Sequence, residues 1–122
     1  MSKMVHDVVR FIQACEQVRS PSNISLYDKL IHEEFGEYID AKNDAEKLDA
    51  CMDMIWVIIG YCHMKGWNIE RAWEEVARSN LDKIDPDTGY VLKNSDGKVM
   101  KPKNWKAPAL EQFVEVLSLI HI

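Results

Sequence analysis

Two stretches of this sequence place acids where apolar residues would be expected. In the first, His32-Glu33-Glu34-Phe35-Gly36-Glu37, Glu34 and Glu37 stand three apart and are neighbours on one helical face. A helical wheel sets them on either side of Leu30, beside Leu26 and Ala41, so the carboxylates interrupt an apolar stripe. In the second stretch, 50–64, Asp53 is the sole formal charge. At about 100° per residue, Glu46, Asp49, Asp53, Trp56 and Gly60 share one narrow arc, with Met52, Ile55, Ile58, Ile59 and Cys62 opposite. Lys47 and Lys65 point elsewhere on the wheel. A buried carboxylate without a partner is very costly, so Asp53 must be paired, protonated or metal-bound.

Two antiparallel helices, each bringing two acids to one face, make an oxygen-rich site. Such a site suits Mg²⁺ or Mn²⁺, cations that also bind triphosphate oxygens. The plainer alternative makes Glu33, Glu34 and Glu37 a charged helix surface and Asp53 a cap or the partner of an arginine. Charge balance agrees with the metal reading. Acids outnumber bases 20 to 15, giving a net charge of −5. No dense basic patch marks a nucleic-acid partner, and an acidic protein that handles polyphosphates needs a cation between itself and its substrate.

The elements that must position these acids are helical. The 122 residues suit one domain. Val5, Val8, Phe11, Ile12 and Cys15 predict a helix over 3–18. The run Ser20-Pro21-Ser22-Asn23 breaks it, and Ser25 is expected to cap a second helix reaching about Lys42. Asn43-Asp44 reads as a turn, with a third helix over 45–65 that Gly66 ends. Asn68 caps a fourth over 69–81. Beyond it, a short hairpin is expected about Asp96-Gly97, then an extended arm over 101–108 and an apolar stretch over 110–120. The fold class is therefore all-α: four helices with a C-terminal β-hairpin and arm. Cys15, Cys51 and Cys62, an odd count without a CxxC, read as reduced and buried thiols of a cytoplasmic protein. No signal peptide and no apolar run long enough to span a bilayer are evident.

With these elements in place, the chain resembles the MazG-like and phosphoribosyl-ATP pyrophosphohydrolase superfamily. EExxE on one helix, an ExxD-like opening of the next apolar helix, the run DACMDMIWVIIGYCHMKGWNIERAWEEVARSNLDK and the tail DGKVMKPKNWKAPAL look like its short phage-type members. The resemblance covers roughly 25–112. It implies a four-helix fold, an obligate Mg²⁺ cluster and hydrolysis between the α and β phosphates of a nucleotide. Carried over by position, Glu34 and Glu37 match the metal-binding glutamates and Asp53 the aspartate of ExxD. Ala50 stands where that motif has Glu. Asp49, one position earlier on the same face, takes that role, and Glu46 is a secondary ligand. Metal would orient the triphosphate and acidify a bound water, with Glu33 or Glu37 accepting the water's proton. The resemblance also suggests that Asn80 and Lys83 face the nucleotide; the alternative is an exposed helix end. Trp56, on the acid arc, could stack on a base or pack in the core. Lys98, Lys101 and Lys103 of the arm could reach phosphates or be merely solvated.

The expected activity is (d)NTP plus water to (d)NMP plus pyrophosphate, dGTP being one substrate guess, in a bacterial or phage-infected cell. The alternatives are phosphoribosyl-ATP hydrolysis and a non-catalytic helical module that binds a nucleotide or partner. No ExxH pair supports a di-iron bundle. A homodimer or homotetramer is expected, because so short a chain with so many large apolar residues buries more by self-association. The domain is taken as 1–116. Residues 117–122, LSLIHI, are what the transposon-end sequencing adaptor CTGTCTCTTATACACATC encodes, so this tail is expected to be adaptor-derived.

Overall fold

The structure, a computed structural model, describes residues 2–114. The expected adaptor-derived tail and most of the apolar stretch over 110–120 lie outside them. Four helices follow one another: α1 (Lys3–Ala14), α2 (Pro21–Asp40), α3 (Asp44–Met64) and α4 (Ile69–Leu81). The all-α class holds, and among the described residues no sheet forms. A first isolated bridge joins Ile84 to Val91, and the expected hairpin about Asp96-Gly97 reduces to a second, Lys93 with Val99. The second closes a turn in which Gly97 N–H donates to the Asn94 carbonyl at 3.0 Å.

Local chemistry explains where the helices begin and end. Ser20 accepts a hydrogen bond from Asn23 N–H, with Pro21 in the first turn. A residue pair read as a breaker is thus an N-cap followed by a proline whose fixed φ suits the first turn. This corrects the expected cap at Ser25. α1 stops at Ala14 rather than near 18. Glu16 takes φ 57°, and Gln17 N–H reaches back to the Ile12 carbonyl at 3.2 Å. Asn43 caps α3 through Glu46 N–H at 2.9 Å, and the Glu46 carboxylate accepts from Lys42 N–H at 2.9 Å. Glu46 here reaches one residue beyond the cap, in a variant of the capping box. Gly66, at φ 76°, supplies the left-handed turn after α3. Asn68 caps α4 as expected.

α3 is the central element. It packs mostly on α2, less on α1 and least on α4. The core is small: Val8 and Ile12 from α1, Tyr27 from α2, and Val57, Ile59 and Met64 from α3. α2 and α3 form an antiparallel hairpin joined by residues 41–43. Near the link, Lys47 Nζ donates to the Tyr38 carbonyl at 2.6 Å; far from it, Tyr27 lies against Gly60. Any Cβ at Gly60 would collide with the Tyr27 ring, so this glycine sets how closely the two helices approach. The Tyr27 hydroxyl then donates to Gln17 Oε1 at 2.7 Å, tying the α1–α2 connection to the hairpin.

Much of the expected apolar surface stays outside this core. Met52, Ile55 and Ile58 on α3, Phe35 and Ile39 on α2, and Trp73 on α4 are exposed in the single chain. All three cysteines are free, but Cys15 is exposed rather than buried, because it sits at the end of α1 beyond its buried face. Burial of Cys62 raises its thiol pKa, which leaves it an unreactive group. No helix among the described residues is long and apolar enough to cross a membrane.

Candidate metal centre

The antiparallel hairpin brings the two acid stretches face to face. Glu34 and Glu37, one turn apart on α2, meet Asp53 of α3, and each offers an oxygen within 4.8 Å of the others. Glu34 and Asp53 are half-buried and Glu37 is exposed. The Glu34 Oε2 atom is buried and has no hydrogen-bond partner.

The electrostatics follow from this crowding. The Glu34 carboxyl is pushed up to about 7, first by burial, then by a shared hydrogen bond with Glu37, and then by the charges of Glu37, Asp53 and Glu33. Asp53 is also raised, by burial and then by Asp49 and Glu37. Both shifts have the sign expected when like charges gather away from water. Cations that could relieve the strain are engaged elsewhere. Lys47 holds the Tyr38 carbonyl and lies 4.2 Å from the centroid of that ring, and Lys65 lies over Trp67. Among the described residues none of the three acids has an ion-pair partner. Three carboxylates, one of them with an orphaned oxygen, form a hard donor set, which fits a divalent cation of the Mg²⁺ or Mn²⁺ kind.

The other residues singled out in the sequence take distinct positions. Asp49 is exposed and lies outside the trio, acting on Asp53 through its charge. Glu33, also exposed, acts on Glu34 in the same way. Glu46 caps α3. Trp56 and Phe11 of α1 pack in a T-shaped pair, 5.6 Å between ring centroids, yet Trp56 keeps 37% of its surface exposed. Lys83 Nζ donates to Asn80 Oδ1 at 3.0 Å and lies 5.1 Å from the centroid of the Trp105 ring. Two contributions escaped the sequence pattern. Tyr27 and Gly60 set the helix spacing, and only the lone glycine of α3 hinted at it. Trp105 anchors the arm to α4, donating its indole N–H to the Ser79 carbonyl at 2.6 Å. Its acceptor is a backbone atom, which no side-chain pattern could single out.

Comparison with known proteins agrees with this geometry. The family model described as Phosphoribosyl-ATP pyrophosphohydrolase matches residues 6–80, which take in most of α1, all of α2 and α3, and nearly all of α4. No curated protein matches the chain. Helices carrying a three-carboxylate cluster, and a family match over more than half of the sequence, make the chain a member of the phosphoribosyl-ATP pyrophosphohydrolase family, within the MazG-like all-α nucleotide pyrophosphohydrolase superfamily.

Proposed function

We propose that this protein is a divalent-metal-dependent nucleoside triphosphate pyrophosphohydrolase, converting a (d)NTP and water to a (d)NMP and pyrophosphate. The observation that carries the reading is the Glu34 Oε2 atom, buried and unpartnered among Glu37 and Asp53. A buried acceptor left unsatisfied costs about 1–3 kcal/mol, and a bound cation removes that cost. Mg²⁺, or Mn²⁺ in its place, would supply charge neutralisation and an acidified water.

The chain's own residues have separable tasks in this reading. Glu34, Glu37 and Asp53 hold the cation, with Asp49 adding negative charge beside Asp53. Glu33, next to Glu34, exposed and outside the trio, accepts the water's proton in this reading. Asn80 and Lys83 bind the nucleotide. Trp56, partly exposed beside Asp53 on α3, offers a ring face to a base. A second reading, hydrolysis of phosphoribosyl-ATP itself, is favoured by the description of the matching family; it uses the same bond cleavage.

The substrate test is a panel of the eight common NTPs and dNTPs plus phosphoribosyl-ATP, each with Mg²⁺ or Mn²⁺, the products resolved by chromatography. At least one triphosphate, dGTP being the first to try, should give monophosphate and pyrophosphate without a diphosphate intermediate. Turnover of phosphoribosyl-ATP alone would select the second reading. Orthophosphate with diphosphate would overturn the assigned bond.

We also propose that the protein is a homodimer or homotetramer. Met52, Ile55 and Ile58 on α3 are exposed apolar residues, as are Phe35 and Ile39 on α2. A second chain would bury them at about 25 cal/mol per Å² of apolar surface. Light scattering on a sizing column checks this, and a monomer at micromolar concentration refutes it.

A further inference from the structure

The segment 82–106 lies beyond the family match, which ends at residue 80. Its charge runs against the acidity of the whole chain: 93–106 carries Lys93, Lys98, Lys101, Lys103 and Lys106 against the single acid Asp96. The structure does not leave this arm loose. Trp105 donates to the Ser79 carbonyl near the end of α4 at 2.6 Å, and the Arg78 guanidinium reaches the Lys106 and Ala107 carbonyls, each at 3.4 Å. Between the arm and α4 lies a cleft of ≈ 420 Å³ lined by Arg78, Asp82, Lys103, Asn104, Trp105 and Lys106.

The cations here are arranged about one ring. Lys83 Nζ and Lys101 Nζ lie 5.1 and 4.8 Å from the Trp105 ring centroid, the first from α4's end and the second from the arm. Among the described residues no carboxylate pairs with Lys83, Lys101, Lys103 or Lys106. Arg78 differs: Glu75 at 2.6 Å and Asp82 at 2.8 Å neutralise it, so it serves as an anchor rather than a source of positive charge. Gathered ammonium groups repel one another, and an anion between them reverses the sign of that energy. The two ammonium groups also occupy the Trp105 ring, so it is not offered to a stacking base; charge, not base stacking, is what the cleft presents.

We propose that this cleft is an anion site for a run of linked phosphates, with Lys103 and Lys106, which line it, as the binding groups and Trp105 as the residue that holds Lys83 and Lys101 at its edge. It rests on the pyrophosphohydrolase reading only for the source of its ligand, the triphosphate substrate or the pyrophosphate product. Its chemistry also separates it from the carboxylate trio, which repels anions unless a cation is bound.

The test therefore omits the cation. Inorganic tripolyphosphate and pyrophosphate are titrated calorimetrically into the full chain in EDTA at low salt. Both should bind, with affinity falling as salt rises. Lys103→Ala and Lys106→Ala should each weaken tripolyphosphate by about tenfold, the scale of one charge-assisted hydrogen bond. Lys103→Arg should restore it and Asp53→Asn should leave it unchanged. Binding of tripolyphosphate but not pyrophosphate assigns the site to the substrate; equal binding of both assigns it to the product as well. No binding by the parent, or equal binding by parent and both alanine variants, overturns the proposal. So does a single-stranded oligonucleotide that binds the same lysines more tightly than tripolyphosphate. Hydrolysis enters none of these readings, so failure here is distinct from failure of the proposed activity.

Discussion

Glu34 and Glu37 lie one turn apart on α2, and each brings a carboxylate oxygen within 4.8 Å of the other and of Asp53. This crowding favours a proton on Glu34. Glu34 is raised from 4.5 to about 7, and burial is the largest cause. A raised acid favours its protonated form in the folded state. The stability it contributes is fully present below about pH 4.5 and is lost as pH rises through about 7. Asp53 shifts in the same direction. In EDTA, urea unfolding of the parent should therefore show this group's contribution falling between pH 5 and 8. Glu34→Gln should flatten that fall. An unchanged slope in the variant would show that the crowding is relieved in solution.

Asp53→Asn separates metal holding from structural support. It removes one of the charges raising Glu34, so the metal-free variant should be as stable as the parent or more so. It should lose hydrolysis and most of the thermal shift that Mn²⁺ gives the parent. At a metal concentration of about 100 times Kd, the shift corresponds to about 2.7 kcal/mol in the parent. A variant that melts lower in EDTA yet still turns over substrate would end the metal assignment.

Glu46 distinguishes a cap from a ligand. Its carboxylate accepts from Lys42 N–H, a bond a glutamine oxygen can also accept. Glu46→Gln should therefore keep both stability and the Mn²⁺ shift. Asn43→Ala, which removes the bond to Glu46 N–H, should cost about 1 kcal/mol. A large loss of Mn²⁺ affinity in Glu46→Gln would return Glu46 to the ligand set.

Gly60→Ala tests the helix spacing. The added methyl meets the Tyr27 ring, and overpacking of this kind costs about 1–3 kcal/mol. Because α2 must move away from α3, Mn²⁺ affinity should fall as well. Loss of stability with unchanged Mn²⁺ affinity would show that the strain is absorbed by the ring alone.

The acid trio was legible because its signal is local: a charge inside an apolar stripe at helical spacing shows in one helix at a time. α4 and its Asn68 cap were equally clear, since cap and apolar period fall together. The start of α2 was misplaced because Ser20-Pro21 serves both as a break and as a beginning, and only the path of the preceding chain decides between them. The hairpin shrank to an isolated bridge for a related reason. A good turn at Asp96-Gly97 does not supply a surface for its strands to pack on. The Trp105 anchor and the Tyr27–Gly60 contact depend on spacing between distant segments, which no single-helix period carries. Glu46 lay on the acid arc, but the nearby backbone N–H groups claimed it.

The trio lies wholly within a local helical hairpin, residues 34–53, joined by the short link 41–43. Local contacts close early in folding, because their loop entropy is small. The mutual repulsion of these carboxylates is therefore met on the way up the barrier rather than after it. Refolding in EDTA should slow as pH rises from 5 to 8 while unfolding barely changes, so the acids behave as high-φ positions. The charges assembled at this site act on how fast the chain finds its fold, and much less on how long it keeps it.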